Sequence, residues 1–281
     1  MLGCMTNHKL RVFALVTALM LAVSACASLP RPGAGPPTQA GMVAAADPRA
    51  AQAGAEMLAA GGSATDAAIA TMLVLGLVEP QSAGLGGGGF LLHYTAETEV
   101  IDAYDGREWA PAGASAEMFL GENGQPIPFR EAVLSGRSVG TPSLVAMLWM
   151  THQEHGRLPW ARLFEPAIRL AEDGFAVSPR LHQLIVWGSQ RENRLKADPQ
   201  VAAYFFDESG APRPVGYRLR NPAYAESLRA IAAQGPQALR SGPLAEAIVA
   251  AAQAEPLGGS LTLADLAAYQ PRKLAPLCGQ F

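Results

Sequence analysis

A glycine-rich turn and one arginine in the first half of the chain have the residue types of an anion-binding site. Residues 84–89 read GLGGGG and lead into an apolar run that is typical of a β-strand. Arg107 follows about one hairpin later, within the sequence DGRE. A guanidinium is permanently charged and binds a carboxylate through two parallel hydrogen bonds. Arg107 is therefore the candidate ligand of a substrate carboxylate, and an ion pair with Asp105 or Glu108 is the alternative.

The glycine-rich string does not have the sequence context of a nucleotide site. In a dinucleotide site, G-x-G-x-x-G follows a strand and opens a helix, whose N-terminus meets the pyrophosphate. Here an apolar helix is predicted before the string and a strand after it. A P-loop is excluded because no Lys-Ser or Lys-Thr follows. The glycines either offer backbone N–H groups to an anion or only permit close packing, and the sequence leaves both open.

The five histidines are scattered, and their spacing predicts neither a metal site nor a cofactor. His152 and His155 lie at i, i+3 of a predicted helix without the carboxylate pattern of a zinc site. We interpret them as a solvated helix face, and Glu154 with three later acids as surface charge. The G-x-S-x-G motif of α/β-hydrolases does not occur, so no nucleophilic serine is indicated.

Cap residues and glycine stops divide the chain into a sheet-forming first third and a mostly helical remainder. Asp47-Pro48 opens one helix, and Ser63 to Asp66 opens a second that is apolar on every face and must be buried. Residues 90–95 and 100–104 predict a hairpin, which places the glycine turn and Arg107 at strand ends. Short strands are also predicted over 42–46 and 277–281, and helices over 142–155, 160–173, 178–188, 221–234, 242–254 and 262–269.

The first 26 residues have the pattern of an export signal. A basic start is followed by the apolar run 12–23, which is too short to span a membrane comfortably. The sequence VSAC ending at Cys26 resembles a bacterial lipobox, in which the signal is cut before the cysteine and the thiol is acylated. An ordinary signal ending near Ala25 or Ala27 is the alternative. We expect an exported protein, periplasmic or at the cell surface, anchored to a membrane through Cys26.

The composition predicts a domain that is held together by a packed core. Residues 27–40 are rich in Pro and Gly and predict a linker, which leaves 41–281 as the folded domain. Cys4 is lost with the signal and Cys26 is lipidated, so Cys278 has no partner for a disulfide. The net charge is −3, and no basic run is interleaved with aromatic residues. Nucleic acid is therefore excluded as a partner.

Several segments resemble the large subunit of γ-glutamyltransferases, which are also called glutathione hydrolases. They occur in the order of that family, and the resemblance extends from Met42 to the last residue. The segments are DPRAAQAGAEMLAAGGSATDAAIA (47–70), LGLVEPQSAGLGGGGFLLHY (75–94), DGREWAPAGASAEMF (105–119), SVGTPSLVAML (138–148), HGRLPWARLFEPAIRLAEDGFAVSPRL (155–181) and LTLADLAAYQP (261–271).

The resemblance implies an α+β fold of the N-terminal nucleophile hydrolase type, a four-layer αββα sandwich. Such a protein is made as a precursor that cleaves itself, and the new N-terminal threonine of the small subunit attacks a γ-glutamyl amide. The glutamyl group of glutathione or another γ-glutamyl compound then passes to water, an amino acid or a peptide. Arg107 stands at the position of the arginine that binds the donor's α-carboxylate in that family.

The chain departs from the family pattern at the nucleophile. The family's threonine lies in a Thr-Thr-His segment downstream of the DLAAY helix, and no such segment occurs here. Past Thr141 the threonines are Thr151, in a predicted helix, and Thr262, at a predicted helix cap. We therefore expect no catalytic residue in this chain, an incomplete sandwich with exposed apolar surface, and a partner portion that carries the threonine. By itself the chain is expected to be inactive.

Two alternatives remain open from the sequence. A lipoprotein could bind γ-glutamyl compounds without catalysis, with Arg107 and the glycine turn as its pocket. Relatives of the same fold act on cephalosporin side chains or poly-γ-glutamate. Arg107 favours a donor with a free α-carboxylate, which suits glutathione.

Overall fold

The computed structural model describes residues 41–190 and 194–280. The predicted signal peptide (1–26), the predicted linker (27–40) and Cys26 lie outside the described residues. The described part is an α+β fold, as predicted. Its strands are β1 (Gly89–Thr95), β2 (Val100–Gly106), β3 (Phe175–Ala176), β4 (Arg218–Leu219) and β5 (Arg272–Leu274). Its helices are α1 (Pro48–Ala59), α2 (Ala64–Val78), α3 (Phe129–Leu134), α4 (Leu144–His155), α5 (Glu165–Asp173), α6 (Pro179–Gln190), α7 (Arg194–Ala197), α8 (Pro199–Phe205), α9 (Pro222–Gln234), α10 (Pro243–Ala252) and α11 (Leu263–Ala268).

Helix α2 lies at the centre of the core, as its uniformly apolar sequence predicts. It packs against α1, α4 and α5. Its capping box forms as predicted, with Ser63 Oγ accepting from the Asp66 amide at 3.1 Å and Asp66 Oδ2 accepting from the Ser63 amide at 2.8 Å. The same Asp66 oxygen also accepts from the Arg157 amide at 2.9 Å. This fully buried carboxylate therefore holds the turn after α4 against the start of α2.

The hairpin predicted from residues 90–104 forms and belongs to a three-stranded antiparallel sheet in the order β1-β2-β5. In its register Phe90 lies opposite Asp105, and Tyr104 lies opposite Lys273 of β5. One face of this sheet packs on α4 and buries Tyr104. The other face, called here the outer sheet face, is solvent-exposed in the described structure. Its exposed apolar side chains are Phe90, Leu92, Tyr94, Ile101 and Leu274, and the paired Asp105 and Arg272 lie at the Phe90 end of the same face.

Two predicted strands do not form within the described residues. Residues 42–46, and residues 277–280 of the predicted strand 277–281, have no strand conformation, because no neighbouring strand accepts their backbone hydrogen bonds there. The strand near the C-terminal end is instead β5, which the sequence did not reveal because it is only three residues long. Among the described residues, Cys278 is a free, exposed thiol.

The interpretation of His152 and His155 as a solvated helix face is wrong. The sheet and the turn after α4 cover this part of the helix, so both side chains lie in polar contacts. The His152 Nε2–H donates to the Leu158 carbonyl at 2.9 Å. The His155 ring stacks on His93 with centroids 3.7 Å apart, and its Nε2 lies 2.7 Å from the Tyr104 hydroxyl.

Glu154 lies at the surface, as predicted, but its carboxylate is bonded to neighbouring side chains. Its Oε2 accepts a hydrogen bond from the Tyr104 hydroxyl at 2.7 Å and from Lys273 Nζ at 2.6 Å. Burial raises the pKa of Glu154, but the hydrogen bonds from Lys273 and Tyr104 outweigh this and lower it. Burial and the bond to Glu154 raise the pKa of Tyr104 to about 12. Strand β5 is thereby tied to α4 across β2.

Candidate functional site

Arg107 follows directly after the last residue of β2, at the end of the sheet that the glycine turn also reaches. The Arg107 side chain is 58% exposed, and its Nη1 lies 3.0 Å from Glu108 Oε2. Of the two ion pairs predicted as the alternative for Arg107, the one with Glu108 forms. Asp105 instead accepts a hydrogen bond at Oδ1 from the Arg107 backbone N–H at 2.9 Å. A guanidinium has five N–H donors, so one contact to Glu108 leaves donors for a ligand carboxylate.

The glycine turn packs against the start of α4. The Gly87 carbonyl accepts from the backbone N–H groups of Ser143 at 3.1 Å and Leu144 at 3.0 Å, the first donors of that helix. A Cβ atom at Gly88 would lie 2.4 Å from the Gly106 carbonyl and 2.7 Å from Ser143 Oγ. Close approach of three backbone segments therefore explains the glycine at position 88, which favours the packing interpretation over an anion cradle.

Replacing Gly88 with alanine is expected to destabilise the fold by at least about 1–3 kcal/mol, because backbone must move to admit a methyl group. Thermal or urea unfolding of the variant measures this loss. Gly86→Ala is the matched control, since a Cβ atom there meets nothing within 4 Å. Equal stability of the two variants would contradict the packing interpretation.

Side chains from the C-terminal part of the chain fix the backbone around Arg107. The Tyr269 hydroxyl donates to the Arg107 carbonyl at 2.9 Å. The Arg272 guanidinium pairs with the buried Asp105 carboxylate. The backbone hydrogen bond from Arg107 and the bond from Arg272 lower the pKa of Asp105. A lowered folded-state pKa stabilises the fold above the unfolded value of about 4, and this stabilisation is lost as the pH falls through the folded-state pKa.

Sequence reasoning missed Tyr269 and Arg272, which are separated from Arg107 by more than 160 residues along the chain. A weak signal was present in the sequence. The neighbouring cations Arg272 and Lys273 point to opposite faces of β5 and meet Asp105 and Asp102 of β2. Alternating charges on two short segments are typical of paired strands, but many other segment pairs in the chain would fit equally well.

One other cluster has the residue types of a metal site. Ligand atoms of Asp102, Glu154 and His155 lie within 4.8 Å of one another. Lys273 Nζ lies 3.0 Å from Asp102 Oδ1 and 2.6 Å from Glu154 Oε2. Because this ammonium already neutralises the carboxylates, we assign no metal to the cluster.

Comparison with known proteins shows the family to which this chain belongs. The model of the family described as gamma-glutamyltranspeptidase matches residues 50–281. The chain belongs to the gamma-glutamyltranspeptidase family. The resemblance inferred from the sequence motifs is thereby confirmed, as is the placement in a family of enzymes.

Curated members of the gamma-glutamyltranspeptidase family are similar over most of this chain. It is 38% identical over 232 residues to glutathione hydrolase 3 of Arabidopsis thaliana, covering 83% of this chain and 34% of the relative. It is 36% identical over 241 residues to the glutathione hydrolase proenzyme of Bacillus subtilis, covering 86% of this chain and 40% of the relative. The chain thus spans less than half the length of these relatives.

Solved gamma-glutamyltranspeptidase structures share the fold. The Helicobacter pylori enzyme aligns with a TM-score of 0.80 at 30% identity, over 87% of this chain and 68% of that one. The Pseudomonas nitroreducens enzyme, solved in complex with L-DON, aligns with a TM-score of 0.74 at 33% identity, over 84% of this chain and 67% of that one. Among the described helices of the present family member, none is long and apolar enough to cross a membrane.

Proposed function

We propose that this chain supplies the donor-carboxylate site of a glutathione hydrolase or γ-glutamyltransferase. The observation that carries the proposal is the exposed Arg107 guanidinium at the end of β2, on a backbone that is hydrogen-bonded on both sides. Its position in the DGRE sequence matches the family pattern. Arg107 would bind the α-carboxylate of glutathione or another γ-glutamyl compound through paired hydrogen bonds.

The nucleophile would come from a portion of the protein other than these 281 residues. Thr151 is fully buried within α4, and its hydroxyl donates to the Leu148 carbonyl at 2.9 Å. Thr262 caps α11, with its hydroxyl bonded to Asp265 at 2.6 Å. Neither residue can become an N-terminal nucleophile without loss of the helix that contains it, so this chain alone is proposed to be inactive.

The chemistry of the assembled protein follows from these roles. The threonine supplied by the other portion attacks the γ-glutamyl amide, with its own α-amine taking the hydroxyl proton. The amide C–N bond breaks, the donor's amine takes up that proton and leaves, and the glutamyl group is held as an ester of the threonine. The acyl group then passes from the threonine to water or to an amino acid or peptide. Arg107 takes no part in bond making. Its role is to hold the donor's glutamyl end at a fixed place, so that the scissile amide stays in the geometry for attack.

The outer sheet face supports the proposal of a partner portion. Phe90, Leu92 and Tyr94 are 69%, 70% and 58% exposed, and exposed apolar side chains of β2 and β5 lie beside Leu92 and Tyr94. The paired Asp105 and Arg272 lie on the same face, next to Phe90. Contiguous exposed apolar patches of this kind mark interaction sites. We propose that a second sheet from the threonine-bearing portion covers this face and completes the four-layer αββα sandwich.

Donor binding and turnover test the proposed function together. The purified chain is expected to bind glutathione in titration calorimetry and to release no p-nitroaniline from γ-glutamyl-p-nitroanilide. Addition of the threonine-bearing portion should restore release. A chain that binds glutathione but gains no activity with that portion would support the non-catalytic binding lipoprotein instead.

A second substrate class has one specific comparison in its favour. The cephalosporin acylase structure from Bacillus halodurans aligns with a TM-score of 0.67 at 30% identity. A cephalosporin side chain without a free α-carboxylate would not need Arg107. Tighter binding of such a side chain than of glutathione would therefore favour the acylase alternative, and the same comparison can be made with poly-γ-glutamate.

Export and lipidation at Cys26 are also proposed, on the signal pattern alone. Cys26→Ser is expected to abolish incorporation of labelled palmitate and to move the protein from the membrane pellet to the soluble fraction. Cys278→Ser is the matched control because Cys278 is a free, exposed thiol. A Cys26→Ser protein that remains labelled and sediments with membranes would contradict the proposal.

A further inference from the structure

We infer that Tyr269 and Arg272 are positioning residues of the donor-carboxylate site, which they control by fixing the backbone and the charge environment of Arg107. The inference rests on the proposed function of Arg107. It concerns residues more than 160 positions downstream: Tyr269 directly follows α11, and Arg272 is the first residue of β5. Two contacts carry it: Tyr269 to the Arg107 carbonyl, and Arg272 to Asp105.

Arg107 lies just beyond the regular part of the sheet, so strand pairing does not fix its backbone. The β1–β2 ladder ends at the pair Gly89 and Gly106, and β5 reaches only as far as Asp105. At Arg107, hydrogen bonds to side chains replace the backbone hydrogen bonds between strands. The Arg107 N–H donates to Asp105 Oδ1, and the Arg107 carbonyl accepts from the Tyr269 hydroxyl, both at 2.9 Å.

Tyr269 is well placed to fix this backbone because it is itself immobilised. Its side chain is buried, and its ring packs against Trp109 with centroids 4.9 Å apart. Its own carbonyl accepts a hydrogen bond from Arg240 Nη2 at 3.0 Å. A backbone held from both sides restricts the directions in which the Arg107 side chain can point, which lowers the entropy lost when a ligand binds.

Arg272 acts through charge as well as geometry. Two carboxylates, Asp105 and Glu108, flank Arg107, and either could compete with a ligand carboxylate for its guanidinium. Arg272 pairs with Asp105 Oδ2, and Asp105 Oδ1 accepts from the Arg107 backbone N–H. Both oxygens of Asp105 are therefore engaged, and Glu108 is the carboxylate that contacts the Arg107 guanidinium. Without Arg272, the two acids and Arg107 carry one net negative charge, which opposes an anionic ligand.

The test measures carboxylate selectivity in the full chain. Titration calorimetry compares glutathione with its analogue in which the glutamyl α-carboxylate is an amide. Arg272→Gln and Tyr269→Phe are each expected to weaken glutathione binding by about 3- to 10-fold and to leave binding of the amide unchanged. Arg272→Lys should restore most of the loss because it keeps the charge. Arg169→Gln is the control, since Arg169 pairs with Glu56 between α1 and α5.

The outcomes separate the inference from the proposed function on which it rests. If Arg107→Ala binds glutathione as the unaltered chain does, the proposed function fails. If Arg107→Ala loses the preference for the carboxylate while Tyr269→Phe and Arg272→Gln keep it, the positioning inference alone is overturned. An equal loss of both ligands in these variants would indicate a general structural role and would also overturn it.

Amide hydrogen exchange at Arg107 supplies a readout that needs no ligand and no turnover. The Arg107 N–H is bonded to Asp105, whose second oxygen is held by Arg272. Exchange at this amide is expected to be about tenfold faster in Arg272→Gln, with exchange in the core helix α2 unchanged. An Arg107 amide that exchanges at the same rate in both proteins would overturn the inference even if no binding could be measured.

Discussion

Replacing Arg107 with alanine is expected to weaken binding of a γ-glutamyl donor by about 10- to 150-fold. This factor corresponds to the loss of roughly 1.5–3 kcal/mol of binding free energy, which is the usual contribution of hydrogen bonds to a charged partner. In a protein assembled with the proposed threonine-bearing portion, the loss should appear mainly as a raised KM. The reason is that the α-carboxylate is remote from the reacting amide and is held equally in the ground state and the transition state.

Two further variants sharpen this prediction. Arg107→Lys keeps the charge but cannot form the paired hydrogen bonds, so an intermediate loss is expected. Arg169→Ala removes an equally exposed arginine that pairs with Glu56 outside the site, and it should leave KM unchanged. An unchanged KM in Arg107→Ala would remove the assignment of Arg107 as the carboxylate ligand. A fall in kcat with constant KM would place Arg107 in transition-state stabilisation instead.

Local sequence signals predicted the elements that position this site. Asp47, Ser63, Asn221 and Thr262 were recognised as helix caps, and each caps a helix in the structure. These predictions succeed because a cap is satisfied by residues within three positions of itself. The hairpin of β1 and β2 could be predicted for the same reason, because its two strands are adjacent in sequence.

Contacts between distant segments could not be predicted in the same way. The sequence predicts a solvated His155 and a free surface charge at Glu154, because nothing near them in sequence shows that β2 and β5 contact that side of α4. The contacts of Tyr104 with both residues join positions about 50 apart. The three residues of β5 are too few for an alternation signal, although they hold both Asp105 and Glu154. Arg107 itself was predicted from its chemistry and the family motif, but its fixed backbone was not.

Placing charges on the outer sheet face is expected to abolish association through it. The double variant Phe90→Lys, Leu92→Lys puts two ammonium groups at the most exposed apolar positions of β1. Burying one large apolar side chain contributes about 1.5–3 kcal/mol, so loss of two should weaken association by at least about 100-fold. Sedimentation velocity of the chain should show less self-association, and addition of the threonine-bearing portion should no longer yield turnover.

A matched variant on another surface separates this effect from a general gain in solubility. Phe129→Lys, Leu134→Lys changes two exposed apolar residues of α3, which does not belong to the sheet. If it reduces self-association as much as the β1 variant does, the outer sheet face is not a specific contact surface. If the β1 variant still assembles and turns over donor, the second sheet does not dock there. The proposed sandwich would then have to be completed through the exposed edges of β1 or β5, which present unpaired backbone groups to a further strand.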